Sequence, residues 1–404
     1  MYWVGIDVAK DSHSAAVLDF QGRRLGTLDF PNDSEGFASL LSFLLLTCDG
    51  VDGVCFVCME ATGHYWRNLA RFLSANGCVV AVVNPMQVEA FRKAETVRKV
   101  KTDRIDAVLI ADFARFKGLS LDYRRFADSE GVKRLTRYRS HLVRERTQLK
   151  NRLAAAVDEL FPALPKLLGG TSSATFLAVV AEYGSPLSIA SSDVHALAGF
   201  LSSASRGRYG LDRAEALHDA AALNVGASDD HALAFELRHL AEMVSFYNSK
   251  IAEVDREIAS LSSGTDYDLL RSIPGIGPLG ASVILGEVGD PSRFRDGKAL
   301  MAYAGMDASV RESGKYKGKE AHMSKRGSAH LRRILMLCAD AARRNDDYFR
   351  VYYDSLRSRD KHHYVAVSAV ARKLCGVILA VLRERRPYEC REPIQSTKPF
   401  ASIL

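Results

Sequence analysis

Four acidic residues carry the clearest chemistry near the start of this 404-residue chain: Asp7, Glu60, Asp103 and Asp106. Asp7 lies in the apolar run Tyr2-Trp3-Val4-Gly5-Ile6-Asp7-Val8, and Glu60 ends Val57-Cys58-Met59-Glu60. The last two sit in Lys101-Thr102-Asp103-Arg104-Ile105-Asp106-Ala107. A carboxylate in or at the end of a buried strand is costly unless it is paired or bound to a cation. Four of them converging would repel one another unless a divalent ion neutralised them, which is the logic of a two-metal phosphoryl-transfer site.

The elements that must position these acids follow from hydropathy. Residues 2–8 read as a strand, Asp11-Ser12-His13 as a turn, and Ser14 to Asp19 as the partner strand of a hairpin. Ser34 to Leu46 has helical spacing with Ser34 as its cap. Val51 to Met59 reads as a buried strand, Tyr65 to Ala75 as a helix ended by Asn76-Gly77, and Cys78 to Val83 as another strand. That alternation describes a mixed α/β layer fold. Asp103 and Asp106, three apart, share one face of a helix. Two strands and one helix then present four carboxylates to one pocket, the layout of ribonuclease-H-like nucleases and Holliday-junction resolvases. The plainer alternative pairs Asp103 and Asp106 with Lys101 and Arg104 on a solvated helix.

Charge distribution points to a polyanion. The net charge is +7 with a pI near 9.0, and the excess is blocked. Arg92, Lys93, Arg98, Lys99, Lys101 and Arg104 face only Glu95 and Asp103 between Phe91 and Arg104. Lys133 to Arg152 holds eight bases, Arg137 and Arg144 among them, against Glu145. Arg311 to Arg333 holds eight more, including Lys315, Lys325 and Arg326, against Glu312 and Glu320. Asp212 to Glu242 is the reverse, with seven acids and two bases. Such blocks are how nucleic-acid-binding proteins are built, solvated helix faces being the alternative.

The seven cysteines form no scaffold. Cys55 and Cys58 point to opposite faces of one strand, and no second pair follows, which argues against zinc. Reduced cysteines fit a cytoplasmic protein. Asp7 and Lys10 interrupt the first apolar run, against a signal peptide. Phe37 to Cys48 is too short to span a bilayer, and the C-terminal apolar run is broken by Arg372 and Lys373, so no membrane partner is expected.

Further along, Lys133 to Leu160 reads as a long basic amphipathic helix with a seam of Leu135, Tyr138, Leu142, Leu149, Leu153 and Leu160. Residues 169–230 resemble an insertion of short helices with no assignable chemistry. Leu237, Leu240, Val244, Tyr247, Ile251, Val254, Ile258 and Leu261 alternate spacings of three and four, the coiled-coil pattern. The partner is the 133–160 helix, a second copy, or both. Ile273-Pro274-Gly275-Ile276-Gly277-Pro278 reads as a helix-hairpin-helix, in which Gly275 and Gly277 let backbone amides approach a phosphate. A polar, hydroxyl-rich stretch from Tyr303 to Ser328 follows, where a serine among cations could hold a phosphate.

Together these segments resemble the insertion-sequence-110-type DEDD transposases, a family that includes the Piv-type DNA invertases. The resembling residues are G-I-D-V-A-K at 5–10, M-E-A-T-G at 59–63, K-T-D-R-I-D-A at 101–107, I-P-G-I-G-P at 273–278, Ala304 through Ser313-Gly314, and S-K-R-G at 324–327. The resemblance implies a RuvC-like catalytic domain over 1–125, a basic linking helix over 126–168 and an insertion or subdomain over 169–230. A coiled-coil helix over 231–264, a mainly α transposase domain over 265–390 and a tail over 391–404 complete the expected order. It implies that Asp7, Glu60, Asp103 and Asp106 bind Mg2+ and that Ser313 attacks DNA to form a phosphoserine link, Ser309 and Ser324 being less favoured. It implies donor and target double-stranded DNA as partners, a homo-oligomer (dimer or tetramer) with composite sites, and for many members a structured noncoding RNA. A bacterial cytoplasmic, nucleoid-associated protein is expected.

Three rivals remain: a water-using metal-dependent nuclease such as a junction resolvase, an actin-like kinase or ATPase, and a non-catalytic DNA-binding protein. The second lacks later glycine-rich phosphate loops, and the third leaves the four acids unexplained.

Overall fold

The computed structural model describes residues 1–48, 55–95, 102–121, 123, 130–227, 230–309, 312–313, 316–317 and 322–390. Contacts divide the chain into two units, 1–130 and 131–404.

The first unit is a five-stranded mixed sheet of β1 (Tyr2–Val8), β2 (Ser12–Leu18), β3 (Arg24–Pro31), β4 (Cys55–Glu60) and β5 (Val79–Val83), in the order β3-β2-β1-β4-β5. β1, β2 and β3 pair antiparallel, and β4 and β5 add parallel to β1. Four helices complete it: α1 (Ser34–Thr47), α2 (Trp66–Ala75), α3 (Pro85–Glu95) and α4 (Asp103–Lys117).

Strand parity fixes two faces. Val4, Ile6, Val57 and Met59 pack with Leu40 and Leu44 of α1 and Leu69 and Leu73 of α2. Trp3, Leu18, Cys58 and Val83 pack with Val88 of α3 and with Ile110 and Phe113 of α4. Cys55 and Cys58 do lie on opposite faces, both buried. β3 is a strand beyond the expected hairpin. The cap of α1 is Asp33, whose side chain accepts from the Gly36 N–H, and Ser34 is the first helical residue.

The second unit is mostly helical. α5 (Glu130–Leu160) opens it, and α6 (Leu164–Leu167), α7 (Ala174–Tyr183), α8 (Pro186–Ala190), α9 (Val194–Ser205) and α10 (Leu211–Ala222) follow. Next comes α11 (His231–Leu261). Arg139 of α5 pairs with Asp255 of α11, its Nη2 at 3.0 Å, and Arg146 Nη1 donates to Asn248 Oδ1 at 2.9 Å. Stepping forward seven residues on one helix and back seven on the other defines an antiparallel pair with heptad register. Of the alternatives open for the coiled-coil helix, this chain's own 133–160 helix is a partner. Leu237, Leu240, Val244, Ile251 and Ile258 are buried as the spacing demands, whereas Leu261 and Tyr138 are about half exposed. The short helices expected over 169–230 are present, and their Phe176, Leu197 and Leu217 share a core with Leu153, Leu160 and Leu237.

The remaining elements are α12 (Thr265–Arg271), α13 (Pro278–Val288), α14 (Gly297–Tyr303), four two-residue strands, α15 (Ala329–Asn345), α16 (Asp347–Arg357) and α17 (His363–Glu384). The strands are β6 (Ala308–Ser309), β7 (Glu312–Ser313), β8 (Tyr316–Lys317) and β9 (His322–Met323). α17 is long and apolar enough to cross a membrane, but it is the core helix of this group, with Val370, Leu374, Ile378 and others buried. Arg372 and Lys373 do not break it.

Candidate active site

β1 is the central strand and positions the first acid. Its register with β4 runs to Ile6 opposite Met59, so the next step sets Asp7 beside Glu60, on strands about 4.8 Å apart. On the other side Asp7 is opposite Ser14 of β2, and Ser14 is opposite Asp29 of β3. Ser14 Oγ donates to Asp29 Oδ1 at 2.7 Å. Residues in register share a face, so Glu60, Asp7, Ser14 and Asp29 form one polar row across four strands.

Parity puts that row on the α4 face, the face of Trp3, Gly5 and Cys58. Gly5 is where helix and strand touch: a Cβ there would lie 2.2 Å from both the Ala107 carbonyl oxygen and the Ala111 nitrogen. Two further contacts fix the helix direction. Arg104, at its start, donates through Nε to Asp29 Oδ2 at 2.7 Å. Arg115, at its end, has its guanidinium within 3.0 Å of a Cβ built on Gly22, in the turn after β2. α4 thus runs antiparallel to β1. Two strand residues from Gly5 to Asp7 span about 6.6 Å, matching about four residues of helix. Counting back from Ala107 and Ala111 brings the first turn, Asp103 and Asp106, over Asp7. Thr102 caps this turn by accepting from the Ile105 N–H at 3.3 Å. Acids at a helix N-terminus are also favoured by its dipole.

Electrostatics differ between the acids. Asp103 is exposed, Asp7 and Glu60 are half-buried, and Asp106 is buried. Arg92 of α3 faces Asp106, Nη1 to Oδ1 at 2.8 Å. The close pairing with Asp106, opposed by burial and then helped by the charges of Asp106, Glu89 and Glu60, holds its proton more tightly than usual. Asp29 is held below the usual carboxylate range by the hydrogen bond from Arg104 and then that from Ser14.

Four carboxylates with no nitrogen or sulfur donor suit a hard divalent cation. Among the described residues, no group of three His, Cys, Asp or Glu side chains is arranged to hold a metal ion. The backbones bring the acids to one face; their carboxyl groups do not close into a cage, and Asp106 is turned to Arg92.

The second unit holds the other expected residues. Ser309 pairs with His322 and Ser313 with Tyr316 in two short antiparallel ladders. Lys315 lies outside the described residues. Ser324 donates through Oγ to Asp307, and its N–H donates to the Asp307 carbonyl at 2.8 Å. The Lys325 N–H donates to the Gly305 carbonyl at 3.0 Å. Gly327 must be glycine, since a Cβ would lie 2.3 Å from the Tyr303 carbonyl oxygen. The clasped loop leaves Lys325 and Arg326 exposed.

Gly275 has φ +88°, and a Cβ there would meet the Ala342 nitrogen at 2.4 Å, so close packing against α15 accounts for it. Gly277 caps α13 and has open space around it. Arg144 is exposed. Arg137 is committed elsewhere: its Nε and Nη2 bind both oxygens of Glu287 at 2.6 and 2.9 Å, and Ser328 Oγ donates to the same carboxylate at 2.9 Å. Glu287 is buried.

Sequence reasoning missed Ser14, Asp29 and Glu287 and read Arg92 only as part of a basic block. Alternation in Arg24-Leu25-Gly26-Thr27-Leu28-Asp29-Phe30 was the available signal for β3 and its acid. Nothing local marks Glu287.

Residues 4–162 match a family model described as a transposase, of the DEDD IS110 type. Residues 267–354 match one described as a transposase of the IS116/IS110/IS902 family. An insertion element IS116 protein of 44.8 kDa from Streptomyces clavuligerus is 27% identical, with 98% of each chain covered. The pilin gene-inverting protein of Moraxella lacunata is 23% identical over 96% of this chain and 98% of its own. The transposase for insertion sequence element IS1328 of Yersinia enterocolitica is 26% identical over 94% and 96%. With both halves matched in order and relatives aligned along nearly its whole length, the chain belongs to the IS110-type DEDD transposase family.

Proposed function

We propose that the protein is an insertion-sequence transposase that cuts and rejoins DNA at specific sites, using a RuvC-like acid site and a serine nucleophile. The observation that carries this reading is the row Glu60–Asp7–Ser14–Asp29 beneath the first turn of α4. The sheet order β3-β2-β1-β4-β5 supports a ribonuclease-H-like fold for it.

Asp7, Glu60, Asp103 and Asp106 would hold one or two Mg2+ ions. Bound there, Mg2+ supplies Lewis acidity at a phosphodiester and offsets its developing charge. Ser313 gives up its proton as Oγ bonds to phosphorus, and a deoxyribose hydroxyl leaves. Attack by a hydroxyl of another strand reverses the step, so rejoining needs no ATP. Lys325 and Arg326 clamp phosphates, and Lys315, two positions after the serine in sequence, is proposed to do the same. The N–H groups of Leu279 and Gly280, after Pro278, receive backbone phosphate at the start of α13.

Exposed Arg144 adds to a basic surface that suits donor and target duplexes together with a structured noncoding RNA. A homo-oligomer is supported by Phe235, Met243 and Phe246, which α11 leaves exposed.

The test is a denaturant-resistant protein–DNA adduct. Wild type should form one, Ser313→Ala should form none, and Asp7→Asn should lose cleavage while keeping its fold. A wild type that cleaves in Mg2+ without any adduct would replace this reading with a water-using metal-dependent nuclease. That second reading is favoured by one observation: the acid row and α4 lie wholly within residues 1–130.

A further inference from the structure

We propose that Arg92 is the resident counterion of the acid site, paired with Asp106 until a divalent ion displaces it. The inference rests on the acid-site reading above and goes beyond it by assigning a residue that sets how readily the site loads.

Asp106 presents only 9% of its side chain to solvent, and a carboxylate so buried needs a positive partner. The partner is one guanidinium, itself 20% exposed, with Nη1 at 2.8 Å from Asp106 Oδ1. Arg92 stands in the last turn of α3 and is steadied from its own helix by Glu89, 3.4 Å from its Nε. Arg92 therefore neutralises one of the four acids that a metal would need, from a different element.

An ion held by Asp106 must take over the oxygen that Arg92 engages. It also places a second positive charge beside the guanidinium. The two cations cannot share this carboxylate without strong repulsion, so ion binding and the Arg92–Asp106 pair oppose each other. This accounts for four acids drawn to one face whose carboxyl groups do not close on one another. It also predicts a site that stays folded without metal and binds the ion more weakly than the acids would without Arg92.

The test is Mn2+ binding to the full chain, read from the electron paramagnetic resonance signal of the free ion, with melting measured in EDTA and in Mn2+. Arg92→Gln should bind Mn2+ about three- to tenfold more tightly than wild type. It should melt lower in EDTA and regain more on adding Mn2+. Arg92→Lys, which conserves the charge, should return the affinity toward wild type. Unchanged or weaker Mn2+ binding by Arg92→Gln, with wild-type binding still abolished by Asp7→Asn, would overturn the counterion role alone. Wild-type binding insensitive to Asp7→Asn would instead bring down the acid-site reading and this inference with it. If Arg92→Gln does not fold in EDTA, its affinity is measured on protein folded in Mn2+ by titrating the ion away, and binding no tighter than wild type overturns the counterion role.

Discussion

At the residue scale, Gly5 matters as much as the acids it stands among. Its missing side chain lets α4 lie directly on β1, which brings Asp103 and Asp106 over Asp7. Gly5→Ala forces the helix outward, because the methyl would meet Ala107 and Ala111 backbone at 2.2 Å. The expected cost is about 3 kcal/mol or more, the upper end for overpacking. Thermal melts should show this, and metal-dependent cleavage should fall further than stability alone explains. Wild-type stability in Gly5→Ala would contradict the helix placement. The elements that carry the four acids were legible in the sequence: Asp7 and Glu60 on apolar strands, Asp103 and Asp106 on one helix. Ser14 and Asp29 were not, because their meaning lies in hydrogen-bonded register across two strand pairs.

Elements that cross-brace the second unit follow from one buried acid. Glu287 joins α13 to α5 through Arg137 and to the start of α15 through Ser328. Burial pushes its carboxyl upward, but the hydrogen bonds and charge of Arg137, the charge of Lys133 and the Ser328 hydroxyl outweigh this and leave it below the usual range. The stabilisation is therefore complete above the ordinary carboxylate value and is lost as pH falls through the lowered folded value. Arg137→Ala should destabilise by about 3 kcal/mol, since it strands a buried charge. The destabilisation should shrink on acidification, when the stranded acid can protonate. Equal loss at neutral and acid pH, measured by denaturant melts, would contradict the assignment. The long helices and their heptads were legible from periodicity. Arg137, expected to meet nucleic acid, is spoken for by a residue 150 positions away, a pairing no local pattern reveals. Gly275 is similar: its need for glycine was visible, but the backbone it approaches is that of α15.

At the scale of the whole molecule, the basic blocks divide by what the fold leaves for them. Arg92, Arg137, Arg139 and Arg146 are engaged by this chain's own acids or amide, and Arg104 pairs with Asp29 while staying exposed. Lys325, Arg326 and Arg144 are exposed. Counting bases in sequence therefore overstates the polyanion-binding surface. Removing Lys325 and Arg326 together should lower the slope of log affinity against log salt by about two, roughly one per phosphate contact. Arg139→Ala should leave that slope unchanged. Binding isotherms over a salt series distinguish the two, and an equal change in both variants would contradict this partition.

The central claim is that Asp7 and Glu60, adjacent on two strands, form a cation site with the first turn of α4. Crystals soaked in Mn2+ and measured at its absorption edge test it most directly. An anomalous peak is expected within coordination distance of the Asp7 and Glu60 carboxylates, with Arg92 turned away from Asp106. Peaks confined to scattered surface acids, with Arg92 still on Asp106, would contradict it.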